Sequence, residues 1–146
     1  MKLTLKNEYL LPSMNLLQSL KLKGVDSIAR SKFVKLLTKA GESLSDSEMD
    51  LVNEYGEPED LTKPISKENP VHVNADGQYA IRASKRGEYQ RERVRLLLQD
   101  TEIEGGTYVN HTEDLLKILK NYDEELTGEA ATAYLELIEA LERAEK

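Results

Sequence analysis

Residues 102–141 read EIEGG (102–106), TYVNHTED (107–114), LLKILKNYDEELTG (115–128) and EAATAYLELIEAL (129–141). Thr101 to Glu104 is a short strand candidate that ends at Gly105-Gly106, and a glycine pair there permits a tight strand-to-helix turn. Thr112 then opens a helix to about Tyr122, with Leu115, Leu116, Ile118, Leu119 and Tyr122 as its core side. Thr127 and Gly128 open a further helix, in which Ala131, Tyr134, Leu135, Ile138 and Leu141 recur every three or four residues. One short strand followed by two amphipathic helices fixes the expectation of a helix-rich domain with a small sheet.

Working outward, Lys2 to Lys6 reads KLTLK, a period of two that places Leu3 and Leu5 on one face of a strand. Pairing of this strand with residues 101–104 would tie the two ends of the chain into one domain. Asn7 is the expected cap of a first helix to about Leu20, with Pro12 near its first turn and Tyr9, Leu10, Met14, Leu17 and Leu20 at helical spacing. Asp26 or Ser27 caps a second helix to about Ala40, whose apolar stripe is Ile28, Phe33, Leu36, Leu37 and Ala40; Gly41 fits its stop. Ser45-Asp46-Ser47-Glu48 matches a capping box for a third helix to about Tyr55, with Met49, Val52 and Tyr55 on one side. Gly56 to Pro70 holds three of the four prolines and reads as a loop. Val71 to Val73, Asn74-Ala75-Asp76-Gly77 and Gln78 to Ile81 form a hairpin signal. Ser84 opens a fourth helix to Leu98 or Asp100, with Tyr89, Val94, Leu97 and Leu98 expected inward. The expected fold is mostly α (α+β), with five or six helices and a small antiparallel sheet or hairpin. The expected organisation is a single domain, 1–146, carrying a loop and hairpin insertion at about 56–83.

The chain has 146 residues, enough for one domain with a real core. With no Trp and one Phe, that core must come from Leu, Ile, Val and Tyr. There is no Cys, hence no disulfide, zinc thiolate or thiol nucleophile. No apolar run approaches the roughly 20 residues that span a bilayer, and MKLTLKNEYLLPSMNLL lacks the small-residue cleavage site of a signal peptide. The net charge of −7 is unevenly spread. Residues 1–40 carry eight Lys/Arg against two Asp/Glu, and residues 82–100 carry six against three. Residues 41–81 and 101–146 are strongly acidic. Such blocks either neutralise one another or present faces of opposite sign to partners.

The stretch from Leu5 to Leu37 (LKNEYLLPSMNLLQSLKLKGVDSIARSKFVKLL) and the stretch from Glu102 to Leu141 resemble a small family of unknown function from tailed phages of Gram-positive bacteria, typically encoded among the late genes. The pieces that carry the resemblance are Ala29-Arg30-Ser31-Lys32-Phe33, Glu104-Gly105-Gly106 and Tyr122 to Gly128 with Ala130 and Tyr134 following. Residues 56–85 do not match. The resemblance implies a phage origin and the host bacterial cytoplasm; it supplies no catalytic residues.

Catalysis and metal binding find little footing in the sequence. His72 and His111 are the only histidines and have no metal-ligand spacing. The carboxylates Asp123, Glu124 and Glu125, and Glu136, Glu139 and Glu142, do not read as an acid–base pair; the last three, at three-residue spacing on a helix, read as a solvated stripe. Glu57, Glu59 and Asp60 lack a calcium-loop pattern. Gly105-Gly106 lacks the third glycine of a dinucleotide fingerprint and the Gly-Lys-Ser/Thr of a P-loop. No enzyme, cofactor or metal is expected. The basic segments are the better binding candidates: Arg30, Lys32 and Lys35 with Lys21, Lys23 and Lys39 around the second helix, and Arg86, Arg91 and Arg95 with Arg82, Lys85 and Arg93 around the fourth. If those helices lie side by side, a basic face forms that could touch phosphates. The expected partner is a host or phage protein, ahead of nucleic acid and without a membrane; a homo-oligomer stays open. The leading function is a phage accessory protein that inhibits a host defence protein, in the manner of an anti-CRISPR. A virion or tail assembly factor and a nucleic-acid-binding regulator are the alternatives.

Overall fold

A computed structural model describes residues 2–105 and 111–144. Gly106 and the side chain of His111 lie outside the described residues. The elements run β1 (Lys2–Lys6), a 3-10 turn (Asn7–Tyr9), α1 (Leu10–Ser19), α2 (Val25–Tyr55), a second 3-10 turn (Ala83–Lys85), α3 (Arg86–Leu98), β2 (Asp100–Glu104), α4 (His111–Lys120) and α5 (Gly128–Arg143). Among the described residues this is the expected α+β fold, five α-helices with a two-stranded antiparallel sheet. The chain forms two compact units, residues 1–42 with 98–146 and residues 43–97, and the division falls inside α2. The insertion expected at about 56–83 lies within the second unit.

In the first unit, β1 and β2 pair antiparallel with Leu3 opposite Ile103 and Leu5 opposite Thr101. The alternation in KLTLK does what it implies: Leu3 and Leu5 are buried while Thr4 and Lys6 face out. Lys2 reaches Glu102 at 3.5 Å, and Lys6 reaches Asp100 at 3.9 Å, both across exposed ends of the ladder. α5 packs on α1, α4 and β1. The core they enclose is leucine-rich, with Leu10, Leu16, Leu17, Phe33, Leu37, Leu115, Leu119 and Leu137 all at 3% exposure or less.

Several expectations are corrected. Asn7 does not cap the first helix. It is buried, its backbone N–H donates to Gln99 O at 2.9 Å, and its side-chain oxygen accepts from Thr101 Oγ1, so it locks the strand pair instead. The second and third helices are one 31-residue helix, α2. Gly41 does not stop it, because a glycine ends a helix only when the chain leaves the α-basin, and here Gly41 instead leaves room for Met14, whose Cε would sit 3.4 Å from an added Cβ. The capping-box residues Ser45 to Glu48 are helix interior. Ile28 is 48% exposed, and Ala29 takes its place beside Phe33 and Leu37. In α5 the buried stripe is Ala133, Leu137, Ala140 and Leu141, while Leu135 is 54% exposed. That helix is apolar around much of its circumference, so periodicity alone admits two phases. The observed phase puts small alanines against the neighbouring helices and lets the Tyr134 hydroxyl donate to Leu119 O at 2.6 Å.

The second unit is built differently. The reversal at 74–77 forms as expected, with Asn74 N donating to Gln78 O and Gly77 N to Asn74 O; Gly77 holds φ +83°, a conformation open to glycine at no steric cost. The hairpin does not join the β1–β2 sheet. Its segments bridge to residues 56–58 instead: Gly56 faces Ile81, Pro58 faces Val71, and Val73 faces Tyr79. Three backbone bonds close a ring, His72 N to Glu57 O, Glu57 N to Ala80 O and Ala80 N to His72 O, at 2.8–2.9 Å. Gly56 permits this close approach. An added Cβ there would run into the Val52 carbonyl oxygen and stand 2.7 and 2.8 Å from the Val71 methyls.

The loop before the hairpin is held from within by Asn69, which is 5% exposed. Its Nδ2 donates to the carbonyls of Asp60, Lys63 and Pro64 at 3.0–3.1 Å, and its Oδ1 accepts from Asp60 N at 2.8 Å. One amide thus satisfies backbone groups that a loop would otherwise leave to water.

Candidate binding surface

The candidate residues divide between the two units, with Arg30, Lys32 and Lys35 on α2 in the first and Arg86, Arg91 and Arg95 on α3 in the second. Within the first unit, Arg30 has a structural task. Its guanidinium donates to Leu20 O and, at 3.5 Å, to Leu17 O, the carbonyls at the C-terminal end of α1. A cation there satisfies orphan acceptors and complements the helix dipole. Lys35 is exposed and Lys32 half-buried, and neither makes an ion pair among the described residues.

In the second unit, α3 buries none of its residues. Tyr89 sits inward, edge-on to Tyr55 with ring centroids 6.2 Å apart, and Lys85 lies 5.9 Å above the same Tyr55 ring. The Tyr55 hydroxyl is pushed above its ordinary value first by burial and then by Glu54, Glu92 and Glu88. Fixing Tyr89 inward decides the rest of the helix. Val94 lies five residues on, about 140° round a helix of 3.6 residues per turn, so it faces out at 51% exposure. Leu98, half exposed at the helix end, is likewise outward. This corrects the expectation that both point inward. Arg86 and Arg91 are exposed without an ion pair among the described residues, and Arg95 meets only Glu92, at 3.2 Å. Arg82 is committed to the fold, its Nε donating to Gly56 O at 3.1 Å. Sequence reasoning found these arginines but missed Val94 between them, because the signal that turns the helix is a long-range contact, Tyr89 to Tyr55.

Elsewhere the expected chemistry stays dispersed. His72 Nδ1 stands 3.0 Å from Glu59 Oε1 on an exposed surface. Glu142 pairs with Lys120 at 3.3 Å and Glu139 with Arg143 at 4.0 Å, both solvent-facing. An open hollow of about 330 Å³ lies in the first unit between Lys21, Asp26, Asp114, Lys117 and Tyr122, its charges of both signs. The Tyr122 hydroxyl there is raised by burial and by Glu124, to which it donates at 3.2 Å. Among the described residues no three His, Asp or Glu side chains gather as metal ligands, and no helix is long and apolar enough to cross a membrane. Compared with known proteins, the chain matches no family model, no curated protein and no solved structure.

Proposed function

We propose that this protein works by binding another protein, without catalysis, and that its target is a defence protein of the bacterium in which a phage expresses it. The observation that carries the binding part is α3: a helix with no buried residue that sets an exposed valine among arginines. Arginine is enriched at interfaces and their hot spots, and the buried centre of an interface is more apolar than its rim. The sequence resemblance to late-gene phage proteins supplies the setting, and a small non-catalytic phage product of that kind acts by occupying something. A phage assembly factor uses the same surface on a phage protein instead.

Expression of the chain in a host with active immunity tests the target. Phage plating is expected to recover, and to fall back when Val94 is changed to Asp together with Arg91→Glu. Unchanged plating across restriction and CRISPR-type systems overturns the defence reading; recovery of the chain in purified virions replaces it with assembly. Arg86 and Arg91 of α3, without an ion pair among the described residues, favour a second reading, nucleic-acid contact. It requires binding to duplex DNA or RNA that weakens steeply with salt, and absence of binding at low salt eliminates it.

A further inference from the structure

The outer face of α3 has enough detail to specify the chemistry of what covers it, granted the protein-binding reading above. With 3.6 residues per turn, Leu97 and Gln90 lie within about 60° of Val94. Arg91 and Arg95 stand about 60–100° to one side of Val94 and Arg86 and Arg93 about 80–100° to the other. Leu97 is half-buried, Val94 is 51% exposed, and all four arginines are exposed. Glu88 and Glu92 lie further round, beyond Arg95. The face is therefore an apolar centre with cationic flanks. Its one ion pair among the described residues, Arg95 to Glu92 with Arg95 72% exposed, is worth little in water and is readily exchanged for a partner's carboxylate. Gly87 carries no side chain on the same side of the helix; an added Cβ would meet only Arg91 Nη1, at 3.8 Å, so the backbone there is open to close approach.

We infer that this face docks a protein surface of complementary design, an apolar patch rimmed by Asp and Glu, with Val94 entering the patch and the arginines meeting its rim. Charge complementarity selects the partner: opposed potentials steer encounter and reject wrong surfaces. Nucleic acid is the poorer match, since a phosphate backbone offers nothing to an apolar centre, and phosphate contact alone would leave Val94 unused.

Two synthetic amphipathic peptides test this with the intact chain. Both carry leucines at helical spacing; one is flanked by Glu and the other by Lys. Fluorescence anisotropy is expected to show the Glu peptide binding about tenfold tighter or more, and Val94→Ser weakening it about fivefold. Arg91→Glu with Arg95→Glu should abolish the preference, while circular dichroism shows the fold retained. Equal binding of the two peptides, a preference that survives the charge reversal, or tighter binding of a mixed-sequence DNA duplex overturns the inference. A photoreactive residue at position 94 of the full chain, used in infected cells, separates this failure from that of the broader reading. A cross-link to an acidic segment of another protein supports both. A cross-link to a non-acidic segment or to a second copy of this chain overturns the inference alone. No protein cross-link overturns both.

Discussion

The two units of this molecule are held by different forces. The first closes a core of leucines, one phenylalanine and small alanines drawn from β1, β2, α1, α4, α5 and the start of α2. The second buries Val52, Tyr55 and Val71 and little else that is large and apolar, and it fixes its loops through Asn69 and a ring of backbone hydrogen bonds. Apolar burial contributes roughly 1.5–3 kcal/mol per large side chain, whereas a hydrogen bond nets about 1 kcal/mol after water is counted. The unit with the smaller core also holds α3, which buries none of its residues. Apolar burial and the proposed binding face thus lie in different parts of the chain.

The largest effect should follow from cutting into the leucine core. Leu17 is fully buried at the centre of the first unit, and Leu17→Ala should cost about 2–5 kcal/mol in denaturant unfolding, because the site cannot collapse around the cavity. A loss below about 1 kcal/mol would mean that the first unit is not held by its core, and the contrast between the units would break. A smaller, local effect is expected at Gly56. The collision of a new methyl with the Val52 carbonyl and Val71 should cost about 1–3 kcal/mol, since neither backbone nor β-branched side chain yields easily. Hydrogen exchange should place the damage in residues 56–81 and spare α1 and α5.

The smallest test concerns the loop carboxylate. Asp60 is held below its ordinary value of 3.8 by bonds from the Thr62 hydroxyl and backbone N–H. A lowered folded-state pKa means that these bonds contribute above the unfolded value and are lost as pH falls through the folded one. The loop at 59–70 should therefore loosen only below about pH 3.8. Thr62→Ala should move the Asp60 titration back toward 3.8, read by NMR; an unmoved titration would sink this assignment.

How much was legible in the sequence also divides along the two units. Leu3 and Leu5 announce their strand by strict alternation, and their pairing with residues 101–104 follows. Leu115 and Leu119 announce α4 by spacing, and both are fully buried. Where a helix is apolar on more than one side, as α5 is, spacing could not choose between Leu135 and Leu137, because the choice is made by how closely Ala133 and Ala140 let neighbours approach. Local signals misled where they had no tertiary support. Gly41 and Ser45-Asp46-Ser47-Glu48 look like a stop and a start, yet with no proline to interrupt it the helix runs through. In the second unit the arginines of α3 were legible by composition. The outward turn of Val94 was not, because it depends on Tyr89 finding Tyr55 across 33 intervening positions of sequence rather than on the helix's own pattern.

Hydrogen–deuterium exchange of the intact chain compares the two regions directly. The amides of α1, α4 and α5 should exchange slowly, at rates limited by opening of the first unit, and those of α3 far faster, because no residue of α3 is buried and its outer face is uncovered. Protection of α3 equal to that of α1 would contradict this picture, since the second unit, with its smaller core, would then be held as firmly as the first.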